Sequence, residues 1–206
     1  MLKDYIGDVV KLSRAQKLFL LAGVVAMAVV VTASNILVEM PVNDWFTWGA
    51  LSYPIAFLVT DITNRILGVR LARDVVFVGF IAAVMMSLLL ANPRIAIASG
   101  SAFFIAQMLD VTIFDKLRRQ SWWKAPVASS VIASFVDTVI FFVLAFAGTG
   151  LPWHTWALGD YAAKLIMVAV LILPFRGLIK ITDPLTLAPV ARLATGALSS
   201  IQAFAS

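Results

Sequence analysis

The sequence lacks several residue types on which common chemistries depend. Its 206 residues include no cysteine and a single histidine, His154. Without cysteine, the chain cannot form disulfide frameworks, zinc ribbons or thiolate nucleophiles. One histidine and scattered carboxylates do not make a typical metal centre, so neither a metal nor a cofactor is predicted. A phosphate-binding loop of the G-x-x-x-x-G-K type is also missing, so any ATP use would belong to another chain.

Charged residues are also scarce in this sequence. Only 13% of the residues are charged while 62% are hydrophobic, and the mean hydropathy is +0.97. Ordinary soluble domains carry about 25% charged residues. The composition therefore predicts an integral membrane protein in a lipid bilayer. In a membrane protein the placement of the basic residues matters more than the net charge of +5, and no nucleic-acid partner is predicted.

Long apolar segments predict the architecture. A membrane-spanning helix needs about 20 apolar residues. Six segments qualify: 18–38, 51–69, 75–92, 94–117, 126–148 and 158–180. They predict an all-α integral membrane protein whose transport domain, residues 18–180, is a six-helix transmembrane bundle. Residues 1–17 have an apolar and a charged face and predict a cytoplasmic interfacial helix, and residues 181–206 predict a peripheral cytoplasmic tail.

The basic residues predict the orientation of this bundle. Lysine and arginine cluster before the first segment, after the second, after the fourth and after the sixth. The loops over residues 39–50 and 149–159 contain neither. Because basic loops stay in the cytoplasm, both termini are predicted to be cytoplasmic.

Polar residues inside the apolar segments are the candidate functional groups. An ionised side chain at mid-membrane costs at least about 2.5 kcal/mol on insertion scales, so it normally faces a partner or a cavity. At spacings of three and four, these residues align with aromatic ones on three helix faces. The faces comprise Tyr53, Phe57, Asp61, Asn64 and Gly68; Ser99, Phe103, Gln107, Asp110 and Phe114; and Ser130, Ser134, Asp137 and Phe141. They predict one shared internal cavity.

Local neutralisation is the alternative for some of these charges. Pairs four residues apart on one helix can bind each other. Such pairs are Asp61 with Arg65, Asp115 with Arg119, and Asp160 with Lys164. Asp110 and Asp137 have no cation three or four residues away, so each needs a partner on another helix, a ligand or a proton.

Longer stretches of the sequence resemble a known family. They include "TASNILVEMPV", "WGALSYPIAFLVTDITNRILGVRLAR", "RIAIASGSAFFIAQMLDVTIFDKLRR", "WWKAPVASS", "SFVDTVIFFVLAF" and "DYAAKL". Together, over about residues 32–174, they resemble the queuosine precursor transporters of the vitamin uptake transporter family. The resemblance implies an inner-membrane importer and not an enzyme. Its substrates would be 7-cyano-7-deazaguanine and 7-aminomethyl-7-deazaguanine, which feed the synthesis of queuosine in transfer RNA.

The polar faces suit such a substrate. A deazaguanine presents an N1–H and an amine side by side, and a carboxylate can accept from both. We therefore predict that Asp110 and Gln107 read the base, with Asp137 as a second carboxylate and aromatic side chains as walls. The full set of predicted binding residues is Asp110, Gln107, Asp137, Phe103, Asn64, Asn35, Phe141, Phe57, Tyr53 and Ser134. Asp61 and Arg65 are predicted as a structural or gating pair, together with Lys164.

Several other interpretations remain open at this point. An intramembrane aspartyl protease would need a Gly-x-Gly-Asp motif, but Asp110 follows Gln-Met-Leu, and His154 lies in a loop where it cannot serve a membrane serine. A substrate-binding subunit that depends on an ATP-driven partner is the stronger alternative. Small residues in the first segment would also suit a homodimer. Two inverted repeats of three helices would align Asp61 with Asp137.

Overall fold

The chain folds into helices that coincide with the predicted apolar segments. The computed structural model describes residues 12–37, 40, 42, 43, 45–90 and 93–183. The helices in this part are α1 (Arg14–Leu37), α2 (Trp48–Ser52), α3 (Pro54–Leu67), α4 (Val69–Leu90), α5 (Pro93–Leu117), α6 (Lys124–Phe146) and α7 (Trp153–Thr182). Four of them, α1, α5, α6 and α7, are long and apolar enough to cross a membrane. The prediction of an all-helical membrane fold is therefore confirmed.

Helix α1 begins earlier than the apolar run suggests. The Ser13 hydroxyl accepts from the Gln16 amide N–H at 3.2 Å, and the Gln16 side chain accepts from the Ser13 N–H at 2.9 Å. This reciprocal pair is a capping box, which starts the helix at Arg14. The predicted boundary between residues 17 and 18 thus falls inside α1. Most of the predicted interfacial helix and tail, residues 1–11 and 184–206, lies outside the described residues.

The second apolar segment is broken into two helices. Pro54 has no N–H to donate, so α2 ends at Ser52 and Pro54 opens α3 in the position that proline prefers. At the other end, Gly68 has a φ of 90° and lets α4 start at once at Val69. The single helix predicted over residues 51–69 is therefore wrong in its continuity, because the proline interrupts it.

Helix α3 is the centre of the bundle. It packs against α1, α4, α5, α6 and α7, and ten of its 14 residues are buried. By contrast, α1 and α7 expose rows of large aliphatic side chains, including Leu18, Val29, Leu173 and Ile181. A lipid-facing surface has this character. The polar residues of α3 are thus accommodated because protein, not lipid, surrounds this helix.

Arginines bind the carbonyl groups at several helix ends. Beyond the end of α5, the Arg118 carbonyl accepts from the Arg65 guanidinium, while Arg118 Nη1 donates to the Asn64 carbonyl of α3 at 3.1 Å. Cations are favourable at helix C-termini, where carbonyls lack partners. Arg118 Nε also lies 3.1 Å from Asp115. The predicted pair of Asp115 with Arg119 is wrong, because α5 ends at Leu117 and Arg119 no longer follows the helical spacing.

Candidate substrate-binding site

Buried polar atoms without partners mark the candidate site. In the part of the chain that the structure describes, six buried side-chain atoms lack a hydrogen-bond partner. They are Asn35 Nδ2, Asp61 Oδ1, Asn64 Oδ1, Gln107 Nε2, Asp110 Oδ1 and Ser134 Oγ. Folded proteins satisfy most such atoms, and the membrane interior offers no water in compensation. Five of these residues are predicted binding residues, and the sixth, Asp61, belongs to the predicted gating pair.

A polar layer joins α3 to α5. The Thr60 hydroxyl lies 3.1 Å from Gln107 Oε1 and 3.3 Å from Asp110 Oδ2. Since a hydroxyl has one proton, it donates to only one of its acceptors at a time. Gln107 and Asp110 are both completely buried, and each keeps one side-chain atom unpartnered. Thr60 was missed from the sequence, although it directly precedes Asp61.

Asp61 and Asp110 form a close carboxyl pair in this layer. Their carboxyl groups are in hydrogen-bonding contact, and the Ser129 hydroxyl of α6 reaches both. Asp61 is 2% exposed and Asp110 is 0% exposed. The predicted pair of Asp61 with Arg65 is not formed among the described residues, because the Arg65 guanidinium turns to the Arg118 carbonyl at the end of α5. Asp61 therefore belongs with the binding layer.

A second cluster joins α6 to α7. Lys164 Nζ lies 2.7 Å from Asp137 Oδ2 and 2.5 Å from Asp160 Oδ2. It also donates to the Thr138 hydroxyl at 3.1 Å, and that hydroxyl donates to Asp160 at 2.8 Å. The expected local pair of Asp160 with Lys164 is thus present, but Lys164 is shared with Asp137. This sharing gives Asp137 the cation from another helix that its own helix does not supply.

Aromatic rings connect the two clusters. The Tyr53 hydroxyl is hydrogen-bonded to Asp137, and Lys164 Nζ lies 5.6 Å from the centre of the Tyr53 ring. The same ring stands edge-to-face with Phe57 at 6.2 Å and with Phe103 at 6.0 Å. These three predicted aromatic residues therefore come together between the ion cluster and the polar layer.

The remaining predicted residues are placed less centrally. Phe141 packs against its helical neighbours Phe142 and Phe146, at 5.2 and 6.0 Å, and not against the Tyr53 ring. Asn64 Nδ2 donates to the Val111 carbonyl at 2.9 Å, which ties α3 to α5. Ser134 is fully buried on α6, and Asn35 lies near the end of α1. Ser129 and Thr138 were missed, although Ser129 lies eight residues from Asp137 and so shares its helix face.

The fold and the buried polar residues define a multi-pass helical membrane protein with an internal polar site between α3, α5, α6 and α7. A family model described as "Putative vitamin uptake transporter" matches residues 47–92 and 87–179, which include α3, α5 and α6 and all but the last three residues of α7. The chain belongs to this vitamin uptake transporter family.

Curated relatives carry more specific names. The "Queuosine precursor transporter" of Escherichia coli (strain K12) is 36% identical over 179 residues, covering 73% of this chain and 81% of the relative. The "Probable queuosine precursor transporter" of Haemophilus influenzae (strain ATCC 51907 / DSM 11121 / KW20 / Rd) is 32% identical over 191 residues, with the same coverage of 73% and 81%. The Bacillus subtilis (strain 168) relative of that name is 29% identical over 152 residues, 60% of this chain and 66% of the relative. No solved structure matches the chain.

Proposed function

We propose that the protein imports queuosine precursors, 7-cyano-7-deazaguanine and 7-aminomethyl-7-deazaguanine, across the cell inner membrane. Membership of the vitamin uptake transporter family and the names of the curated relatives support this function. The observation that carries it on the molecule itself is the pair of unpartnered atoms at Gln107 Nε2 and Asp110 Oδ1. An amide donor and a carboxylate acceptor side by side are what the edge of a guanine-like base requires.

The residues of the polar layer have distinct roles in this proposal. Asp110 Oδ1 accepts from N1–H and the exocyclic amine of the substrate, and Gln107 Nε2 donates to its ring carbonyl. Asn64 Oδ1 is a further acceptor on the same side of the bundle. The Tyr53, Phe57 and Phe103 rings stand around the site and offer edges and faces to the flat ring.

The ion cluster has a different role. Lys164 already neutralises one charge of Asp137 and Asp160, and the Tyr53 hydroxyl occupies Asp137 as well. We assign this cluster to positioning: it holds α6 and α7 together and fixes the Tyr53 ring beside the substrate. Asp137 thus acts on the substrate through Tyr53, as the second carboxylate of the site.

The proposed topology places six spans in the membrane. The short α2 and α3 together form the second span, and α4 forms the third. Both termini lie in the cytoplasm, since the basic residues cluster on the side of the bundle where α3 and α5 end. Arg94, the basic residue on the opposite side, donates to the Leu144 and Ala147 carbonyls at the end of α6, at 2.9 and 2.6 Å, so its charge has a structural task.

Transport by the purified protein tests the proposal. Liposomes loaded with unlabelled 7-cyano-7-deazaguanine should take up the labelled compound by exchange, and excess guanine should compete poorly if the 7-substituent is recognised. Uptake without any other protein supports an autonomous importer. Saturable binding without uptake would contradict it and support a substrate-binding subunit that needs an ATP-driven partner. Absence of binding would refute the assigned substrate.

A further inference from the structure

The carboxyl pair of Asp61 and Asp110 is more than substrate recognition requires. One carboxylate suffices to accept from N1–H and the amine of a guanine-like base. A second one in hydrogen-bonding contact with the first adds a negative charge next to the substrate without a compensating cation. This excess charge needs a partner of its own.

Basic side chains on three of the surrounding helices contact groups outside the pair. On α3, the Arg65 guanidinium is bound to the Arg118 carbonyl, and on α7 Lys164 is held between Asp137 and Asp160. On α4, Arg73 lies 3.5 Å from the Thr112 hydroxyl at the exposed edge of α5. Helix α6 turns the Ser129 hydroxyl to the pair. Helix α1 has no ionisable residue over positions 18–37.

A proton is the cation that fits this arrangement. Two carboxyl groups in direct contact cannot both be ionised in a buried, water-poor site, whereas a single proton between them forms a hydrogen bond and removes one charge. A metal cation such as Na⁺ would separate the two groups to make room for its own coordination shell. The Ser129 and Thr60 hydroxyls add further hydrogen bonds to the pair.

We propose that Asp61 and Asp110 bind one proton between them and that this proton crosses the membrane with the substrate, which makes the import proton-coupled. With the proton on Asp61, Asp61 donates to the Asp110 carboxylate, which remains able to accept from the substrate. When the proton leaves to the cytoplasm, two adjacent negative charges repel each other, and the substrate site is lost. Proton and substrate therefore strengthen each other's binding by the same factor. This inference rests on the proposed function.

The first test is substrate accumulation driven by a pH gradient. Liposomes containing the protein are clamped at zero membrane potential with potassium and valinomycin, and the external pH is set one unit below the internal pH. With one proton per molecule of neutral 7-cyano-7-deazaguanine, the internal concentration should reach about ten times the external one. The substrate should also acidify the lumen, as measured with a trapped pH-sensitive dye, when it is added outside without a gradient.

The variant Asp61→Asn tests proton coupling separately from substrate transport. The asparagine amide can donate to Asp110 as the protonated carboxyl does, but it has no titratable proton to release. We expect no accumulation under the gradient, and any substrate exchange that the variant retains should not depend on pH between 5.5 and 8. The matched control is Asp183→Asn, at the exposed end of α7, which should accumulate substrate as the wild type does. Circular dichroism and size-exclusion chromatography establish that both variants are folded.

Four results would overturn the coupling. They are substrate exchange by the wild type without gradient-driven accumulation, exchange without luminal acidification, accumulation by Asp61→Asn equal to the wild type, and accumulation that follows a sodium gradient in place of the pH gradient. Each of these leaves the proposed import function intact, because exchange by the wild type is preserved. A wild type that shows no exchange at all would refute the import function, and the coupling with it.

Discussion

At the scale of single residues, Gln107 separates function from stability most cleanly. Gln107→Met keeps the size of the side chain but removes an amide nitrogen that has no hydrogen-bond partner among the described residues. Thr60 loses one acceptor and keeps the Ala56 and Phe57 carbonyls. We expect 7-cyano-7-deazaguanine to bind about 10 to 100 times more weakly, since one buried hydrogen bond is lost, while the thermal midpoint in detergent stays the same or rises.

Binding measured by isothermal titration checks the effect of this change. Gln120→Met is the control, because Gln120 is exposed beyond the end of α5 and should tolerate the change without loss of affinity. An unchanged affinity in Gln107→Met would remove Gln107 from the substrate site.

For Lys164, in contrast to Gln107, we expect substitution to reduce mainly the stability of the protein. Lys164→Met leaves Asp137 and Asp160 without their common cation in a buried place. Removal of one partner from a buried ion cluster costs about 3–5 kcal/mol. The thermal midpoint of the detergent-solubilised variant should therefore fall strongly, and adding Asp137→Asn should restore part of the loss. Lys180→Met, at an exposed position of the same helix, should change the midpoint little, and an equal loss there would contradict the assignment.

The sequence predicted these residues better than it predicted their partners. Helical spacing correctly placed Gln107 with Asp110 on one buried face, because both lie on a single helix of regular geometry. It could not show that Lys164 bridges Asp137 to Asp160, since that contact depends on how α6 and α7 pack. The same limit explains why Asp61 was paired with Arg65: spacing permits the pair, but the carbonyl groups at the end of α5 offer the guanidinium other partners.

At the scale of helices, a glycine near the start of α7 sets how closely α7 approaches Trp45 in the α1–α2 connection. A Cβ atom on Gly159 would lie 3.0 Å from the Trp45 carbonyl carbon and closer still to its oxygen. Backbone cannot move aside as a flexible side chain can, so Gly159→Ala should cost about 1–3 kcal/mol and lower the thermal midpoint. Gly177→Ala on the same helix meets nothing within 4 Å and should raise the midpoint slightly through helix propensity. The same sign for both variants would refute this packing.

The ends of helices can be predicted from the sequence where a local residue type, such as proline or glycine, determines them. Pro54 and Gly68 delimit α3 for reasons that are visible in the sequence, even though the apolar run continues through both. The central position of α3 is not visible there, because it depends on its contacts with the surrounding helices. Its polarity was nevertheless a correct sign that lipid does not surround it, since unpaired charges are costly in lipid.

At the scale of the whole molecule, the charged residues at the centre of the bundle are separate from the arginines that bind carbonyl groups at helix ends. Asp61, Asp110, Asp137, Asp160 and Lys164 lie on the helices that meet at the centre of the bundle. Arg65 and Arg118 bind carbonyl groups where α3 and α5 end. A transporter needs both arrangements, because the first can bind a polar cargo within the membrane and the second holds helix ends together beside it. The Arg65 and Arg118 contacts thus close the bundle on the proposed cytoplasmic side of the site.

The orientation of the molecule can be tested directly, because the natural sequence has no cysteine to remove. Ser121→Cys and Thr149→Cys each place one thiol at an exposed position, in the α5–α6 and α6–α7 connections respectively. If the basic α5–α6 connection is cytoplasmic, a membrane-impermeant maleimide should label Thr149→Cys on spheroplasts and should label Ser121→Cys only after permeabilisation. Labelling in the reverse order would invert the proposed topology and place both termini outside the cytoplasm.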